Sequence, residues 1–192
     1  NQGSFLTKWC ALAVCGGDWS GKPWSSDCLV LNSTSKQWQR GVLGSLLGDL
    51  VVGVVNLDIG TYMVHPTNSS FLPSGGQDWI AGPSPSEEIE CATGISSLSF
   101  LAFSSKSAHQ YDSSIGGPSS ADGWLTDAEW PDLMEERHRP GCATLGSLCV
   151  VAGGRDALDE VLKSVEMISL ASKSLESTGY MLKPRDHFNL VV

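Results

Sequence analysis

Short apolar runs, each cut off by turn-forming residues, recur along this chain, and two of them are plainly alike. Ala11-Leu12-Ala13-Val14-Cys15-Gly16-Gly17 and Cys149-Val150-Val151-Ala152-Gly153-Gly154 are both β-prone stretches that stop at a Gly-Gly pair. Each is followed by a polar loop and a second apolar strand, Cys28–Leu31 in one copy and Val165–Leu170 in the other. Cys91-Ala92-Thr93 matches Cys142-Ala143-Thr144; it leads into Leu98–Phe103, then Ser104-Ser105 in the Gly-Gly place, then His109–Asp112. A further copy lies between Trp38 and Trp79, with strands expected at Val51–Val55, Thr61–Val64 and Phe71–Pro73 and with His65-Pro66 in the Gly-Gly place. Trp38, Trp79 and Trp124 close successive copies at spacings of 41 and 45 residues, and Leu175 takes the next such place, 51 residues on. A repeat of this length, strand–turn–strand–loop–strand–turn–strand, marks a solenoid or propeller rather than a single sheet.

The physical consequence is a set of thin antiparallel sheets. One four-stranded sheet cannot bury both of its faces, so copies must cover one another, and radial stacking does this while leaving only short edges. Gly-Gly suits the point where a strand ends against a crowded neighbour, because glycine accepts positive φ and close backbone approach. The closing tryptophan is an apolar plate able to fill the space between two sheets. The competing arrangement is a β-sandwich, which also uses short strands and frequent turns.

Taken together, the apolar run ending in Gly153-Gly154, the later Val165-Glu166 strand, Pro184-Arg185, and the linker-like Trp130-Pro131-Asp132-Leu133 with Arg137 resemble the kelch repeat. The resemblance implies an all-β, kelch-type β-propeller with about four blades of four antiparallel strands. The blades fall near residues 1–40, 41–82, 83–133 and 134–183, with the start of a further strand at 184–192, all in one kelch-like region spanning 1–192. Kelch propellers usually hold six or seven blades. The chain is therefore either a fragment of a larger propeller, the preferred expectation, or a four-bladed ring closed by His187–Val192. In kelch proteins the loops at the blade ends form the binding surface, which draws attention to Asp18–Ser26, Ser113–Gly123 and Arg155–Lys163, the Gly/Ser-rich second being the one expected to be least anchored.

Composition narrows the function. Glycine is abundant at 21 of 192 residues and charge is sparse at 17%, as suits many short strands and turns. A net charge of −9 argues against nucleic acid and anionic membranes as partners. No apolar run is long enough to insert in a bilayer as a helix; Leu46–Val55 is broken by Gly48, Asp49 and Gly53. The six cysteines, Cys10, Cys15, Cys28, Cys91, Cys142 and Cys149, are even in number and lack C-x-x-C spacing, which favours disulfides over zinc. Cys142 and Cys149 flank a turn and are expected to bridge, and Cys10 or Cys15 is expected to pair with Cys28. Sequons begin at Asn32 and Asn68, in expected turns. Cysteines and sequons together point to an extracellular, secreted glycoprotein.

Candidate chemistry is thin. His65, His109, His138 and His187 are scattered without metal-ligand spacing, and Asp18, Asp156 and Asp186 sit in loops without a calcium-loop pattern. Neither a catalytic residue nor a cofactor or metal site is expected. The function implied is non-catalytic: a protein-binding or structural module whose partners are other proteins or further propeller blades. Two other readings stay open: the propeller part of a galactose-oxidase-like copper enzyme, which would require two tyrosines (from Tyr62, Tyr111 and Tyr180), two histidines and a cysteine to converge, and an intracellular kelch domain that adapts substrates or binds actin.

Overall fold

The computed structural model describes residues 13–15, 27–31, 38–42, 51–74, 79–125, 129–187 and 190. They are all-β, with a single 3-10 turn among them at Ala121–Gly123. The chain divides into two compact units, Asn1–Asp49 and Leu50–Val192.

In the first unit β1 (Ala13–Cys15), β2 (Asp27–Leu31) and β3 (Trp38–Val42) form an antiparallel sheet in the order β1-β2-β3. Its register places Cys15 opposite Cys28 and Leu31 opposite Trp38. Cys10, Gly16, Gly17 and Asn32, and the loop 18–26, lie outside the described residues.

The second unit holds three four-stranded antiparallel sheets, each a meander of consecutive strands. The first comprises β4 (Gly53–Leu57), β5 (Gly60–Val64), β6 (Ser69–Pro73) and β7 (Ile80–Ala81). Next come β8 (Cys91–Gly94), β9 (Ser99–Phe103), β10 (Ala108–Asp112) and β11 (Trp124–Leu125). The last is built from β12 (Gly141–Leu145), β13 (Leu148–Ala152), β14 (Ser164–Ser169) and β15 (Ser174–Tyr180). The leading strands adjoin in turn, β4 beside β8 and β8 beside β12.

The burial pattern shows why these sheets need one another. All five residues of β9 are buried, and they divide by parity between two cores. Phe100 and Ala102 join Val55, Tyr62, Val64 and Phe71 of the preceding sheet. Leu101 and Phe103 join Cys149, Val151 and Ile168 of the following sheet. Side chains alternate across a strand, so a strand apolar at every position must be covered on both faces. Each large side chain so buried stabilises the fold by about 1.5–3 kcal/mol. This is a stack of sheets with a core in every gap, unlike the single core of a two-layer sandwich.

Register explains the repeat residue by residue. Trp124 stands opposite Tyr111 and packs on the core between the first two sheets of this unit. Leu175, opposite Ile168, holds the matching place in the last sheet and packs on the other core. Trp79 lies immediately ahead of β7. Gly153 and Gly154 have φ of 59° and 90°, and a Cβ on Gly154 would come within 2.7 Å of the His138 carbonyl oxygen. Both demands on glycine, positive φ and close approach, are therefore present here.

The two copies that lack Gly-Gly differ for a simple reason. In each sheet the first residue past the second strand donates its N–H to the residue just ahead of, or opening, the third: His65 to Asn68 (2.9 Å), Ser104 to Ser107 (2.9 Å) and Gly153 to Ser164 (2.9 Å). In the first two cases a tight turn lies between; in the third the segment 154–163 is looped out. None of His65, Pro66, Ser104 or Ser105 has positive φ, so nothing there demands glycine.

Candidate binding surface

Antiparallel strands send successive connections to opposite ends of a sheet. The connections between second and third strands, His65–Asn68, Ser104–Ser107 and 153–164, share one end with the linkers that lead into the next sheet. Ile89 N–H donates to the Pro66 carbonyl (2.7 Å) and Arg137 N–H to the Ser105 carbonyl (2.7 Å), so each turn receives the linker to the following sheet. Segment 113–123 joins the third and fourth strands, β10 and β11, and therefore leaves from the other end. The loops singled out from sequence do not converge: Ser113–Gly123 and Arg155–Lys163 sit at opposite ends of their sheets.

Loop 155–163 is built rather than slack. Asp156 Oδ1 accepts from the N–H groups of Leu158 (2.9 Å) and Glu160 (2.8 Å), and Asp159 N–H donates to the Asp156 carbonyl (3.0 Å). Asp159 takes φ of 65° to close the tip. The base is clamped by Leu162 N–H to the Gly154 carbonyl (2.8 Å) and Gly154 N–H to the Arg185 carbonyl (2.8 Å). Arg155 donates through Nε to Asp186 Oδ2 (2.6 Å) and through Nη1 to the Asp159 carbonyl (2.9 Å), and His187 Nδ1 is 3.0 Å from the same Asp186 oxygen. The Arg155 hydrogen bond holds the Asp186 carboxyl below its ordinary value. At the apex Leu158 is 81% exposed, beside the exposed acids Asp159 and Glu160.

Beneath this end lies a buried ion pair. Arg137, in the linker, donates to Glu166 Oε1 of β14 through Nε (3.0 Å) and Nη2 (2.9 Å). Its remaining donors reach the Gly153 carbonyl (2.9 Å), the Ser164 carbonyl (3.1 Å), Ser164 Oγ (2.9 Å) and Glu135 Oε2 (3.2 Å). Ser164 Oγ in turn donates to Glu135 Oε2. Glu166 also accepts from the Met134 N–H (2.7 Å) and the Glu135 N–H (3.3 Å). One sheet earlier, Glu87 of the linker lies 3.4 Å from His109 Nε2 on β10.

Glu90 ties two successive linkers together. One oxygen is 2.9 Å from His138 Nδ1, and the other accepts from the Arg139 N–H (2.9 Å). That Glu90 hydrogen bond is the main cause of a raised His138 pKa; it outweighs partial burial, and Glu136 adds to it. Because the folded value is raised, the stabilisation is complete below the ordinary histidine value of about 6.5 and disappears as pH climbs through the raised value. His138 is 42% exposed, so solvent screening keeps the gain small. Proton NMR titration of Glu90→Gln is expected to bring the His138 midpoint down toward its ordinary value; an unmoved midpoint would refute this assignment.

The opposite end is anchored by aromatics. Tyr62 OH donates to the Pro118 carbonyl (2.8 Å), Tyr111 OH to the Gly117 carbonyl (3.1 Å) and Ser113 Oγ to the Leu98 carbonyl (2.6 Å). Segment 113–123, expected to be the least anchored loop, is thus held from below by two fully buried rings. Burial raises the pKa of both tyrosines. Tyr62 and Tyr111 do approach each other, with centroids 5.5 Å apart, but their hydroxyls face this loop while His65, His109 and His138 belong to the other end. Among the described residues no group of three His, Cys, Asp or Glu side chains is arranged to hold a metal.

The cysteine expectation needs correction. Cys142 and Cys149 are not opposite each other: Cys142 pairs with Val151 and Cys149 with Thr144, because the hairpin turns at Gly146-Ser147. Diagonal neighbours on a ladder are about 7–8 Å apart, too far for a disulfide. Cys91, Cys142 and Cys149 are all free thiols. Asn68, at the His65–Asn68 turn, is half-buried.

In the sequence Arg137 and Glu166 stand out only as repeat marks, with nothing to signal their pairing, and Leu158 is not marked by the repeat at all. An available signal was the loop itself, D-A-L-D-E, where a lone leucine stands among acids with no apolar periodicity to bury it.

No family model and no curated protein matches the chain. Solved structures do: 220 chains are similar, among them one described as "Structure of YjhT", with TM-score 0.58 and 13% identity over 81% of this chain and 52% of that one. Identity this low carries the fold alone, and that fold is propeller-type. The chain spans about half the length of that neighbour. No helix among the described residues is long and apolar enough to cross a membrane.

Proposed function

We propose that this chain forms kelch-type blades of an extracellular β-propeller, a fragment of a larger ring, and serves as a non-catalytic protein-binding module. The observation that carries the reading is loop 155–163: a tip fixed by its own hydrogen bonds that presents one exposed leucine, Leu158, amid acidic groups. A rigid apolar projection spends little ordering entropy on docking, and an exposed leucine contributes only once it is buried. The surrounding Asp159 and Glu160 favour a partner pocket rimmed by basic groups. The secreted reading rests on the even set of six cysteines and the two sequons; the register also sets Cys15 opposite Cys28.

The test is site-specific photo-crosslinking in the natural source. A photoreactive residue in place of Leu158 is expected to capture a distinct protein, and one in place of Ile115, exposed at the other end, to capture none. Leu158→Asp should weaken binding to the captured partner at least tenfold without changing Tm. Equal capture from both positions, or none from 158, overturns the proposal.

A further inference from the structure

The geometry points to a disulfide between Cys91 and Cys142 that staples the leading strands of two adjacent sheets, β8 and β12. The inference does not depend on the binding role proposed above. Cys91-Ala92-Thr93 and Cys142-Ala143-Thr144 occupy matching positions on adjacent strands. Cys91 lies in, and Cys142 packs against, the core between these sheets, so they face each other across it. Two residues along, Thr93 Oγ1 and Thr144 Oγ1 are 3.2 Å apart, which fixes the alignment of the two strands independently of the cysteines. Each thiol lies near enough to the other to influence its titration, burial being the larger influence on both. Side chains on the cysteines' side of these two strands thus already meet at their γ atoms two residues along. Closing the bond brings the sulfurs to about 2.05 Å.

Cys149 is the remaining thiol of this core. Cys149 is only a diagonal neighbour of Cys142 on the ladder, and no three-ligand metal group is formed with it among the described residues.

The oxidant is a small-molecule disulfide such as oxidised glutathione. One thiolate of the pair attacks a glutathione sulfur and releases one reduced glutathione; the second thiolate then attacks the mixed disulfide and releases the other. Two thiols are oxidised, one disulfide is reduced, and the two protons end on the glutathione thiols. Burial pushes both thiol pKa values up, and Cys91 is only 2% exposed, so exchange in the folded protein is slow and the bond forms as the chain folds.

The experiment refolds the full chain from urea with oxidised and reduced glutathione, blocks free thiols, and maps peptides without reduction. Chymotryptic cleavage at Leu145 and Leu148 separates Cys142 from Cys149. The expected product joins the Cys91 and Cys142 peptides and leaves Cys149 blocked; Cys149→Ser keeps that product. The oxidised wild type should melt roughly 10 °C above oxidised Cys91→Ser/Cys142→Ser, and the gap should close when both are reduced. Alkylated Cys91 and Cys142 after oxidative refolding, or a bond from either to another cysteine, overturns the inference; this readout needs no variant to fold.

Discussion

Replacing Glu166 by alanine is expected to cost about 3–5 kcal/mol in urea unfolding, because it leaves a buried guanidinium with only the half-exposed Glu135 carboxylate as a charged partner. Arg137 is fully buried and spends two of its donors on Glu166. Two backbone N–H groups, those of Met134 and Glu135, lose their acceptor in the same step. Arg137→Met alone should cost a similar amount, since a carboxylate that is 1% exposed is then left with only the amides. The pair Arg137→Met/Glu166→Leu should recover much of either loss, because the desolvation cost of both charges disappears with them. A double variant as unstable as the sum of the single ones would show that the pair acts through specific geometry rather than through charge compensation.

The other large effect is expected at Phe100. Its ring is fully buried and contacts Tyr62, Tyr111 and Trp124 at centroid distances of 5.4, 5.1 and 5.7 Å. Phe100→Ala should destabilise the protein by about 3–5 kcal/mol through lost transfer energy and the cavity left behind. The two tyrosines it supports hold the Gly117 and Pro118 carbonyls. Limited proteolysis should therefore accelerate within 113–123, while cleavage near Leu158 at the far end stays unchanged. Equal acceleration at both loops would mean that the variant simply unfolds globally.

Much of the strand layout was legible because the repeat carries it. The strands expected at Thr61–Val64, Leu98–Phe103 and His109–Asp112 coincide with β5, β9 and β10 to within a residue. The assignment of Leu175 to the tryptophan place follows from its position opposite Ile168, where Trp124 stands opposite Tyr111. The cysteine pairing was not legible. It turns on whether a hairpin reverses at Leu145-Gly146 or one residue later, and a one-residue change in the turn moves every partner by two. The anchoring of 113–123 was hidden for a different reason. Its restraints come from Tyr62, more than 50 residues away, and local composition shows glycine and serine but not the rings beneath them. The Arg137–Glu166 pair is equally non-local, although both residues had been marked by the repeat.

The hydrogen bond that closes the second strand onto the third is made across a tight turn at His65–Asn68 and at Ser104–Ser107, and across a loop in the last sheet. Chain length between those two anchor points is thus a free variable of the scaffold. An evolving lineage can lengthen one such connection into a recognition tip and leave its neighbours minimal, with no strand re-registered. Variation in connection length and constancy in strand pairing are thereby placed on different residues.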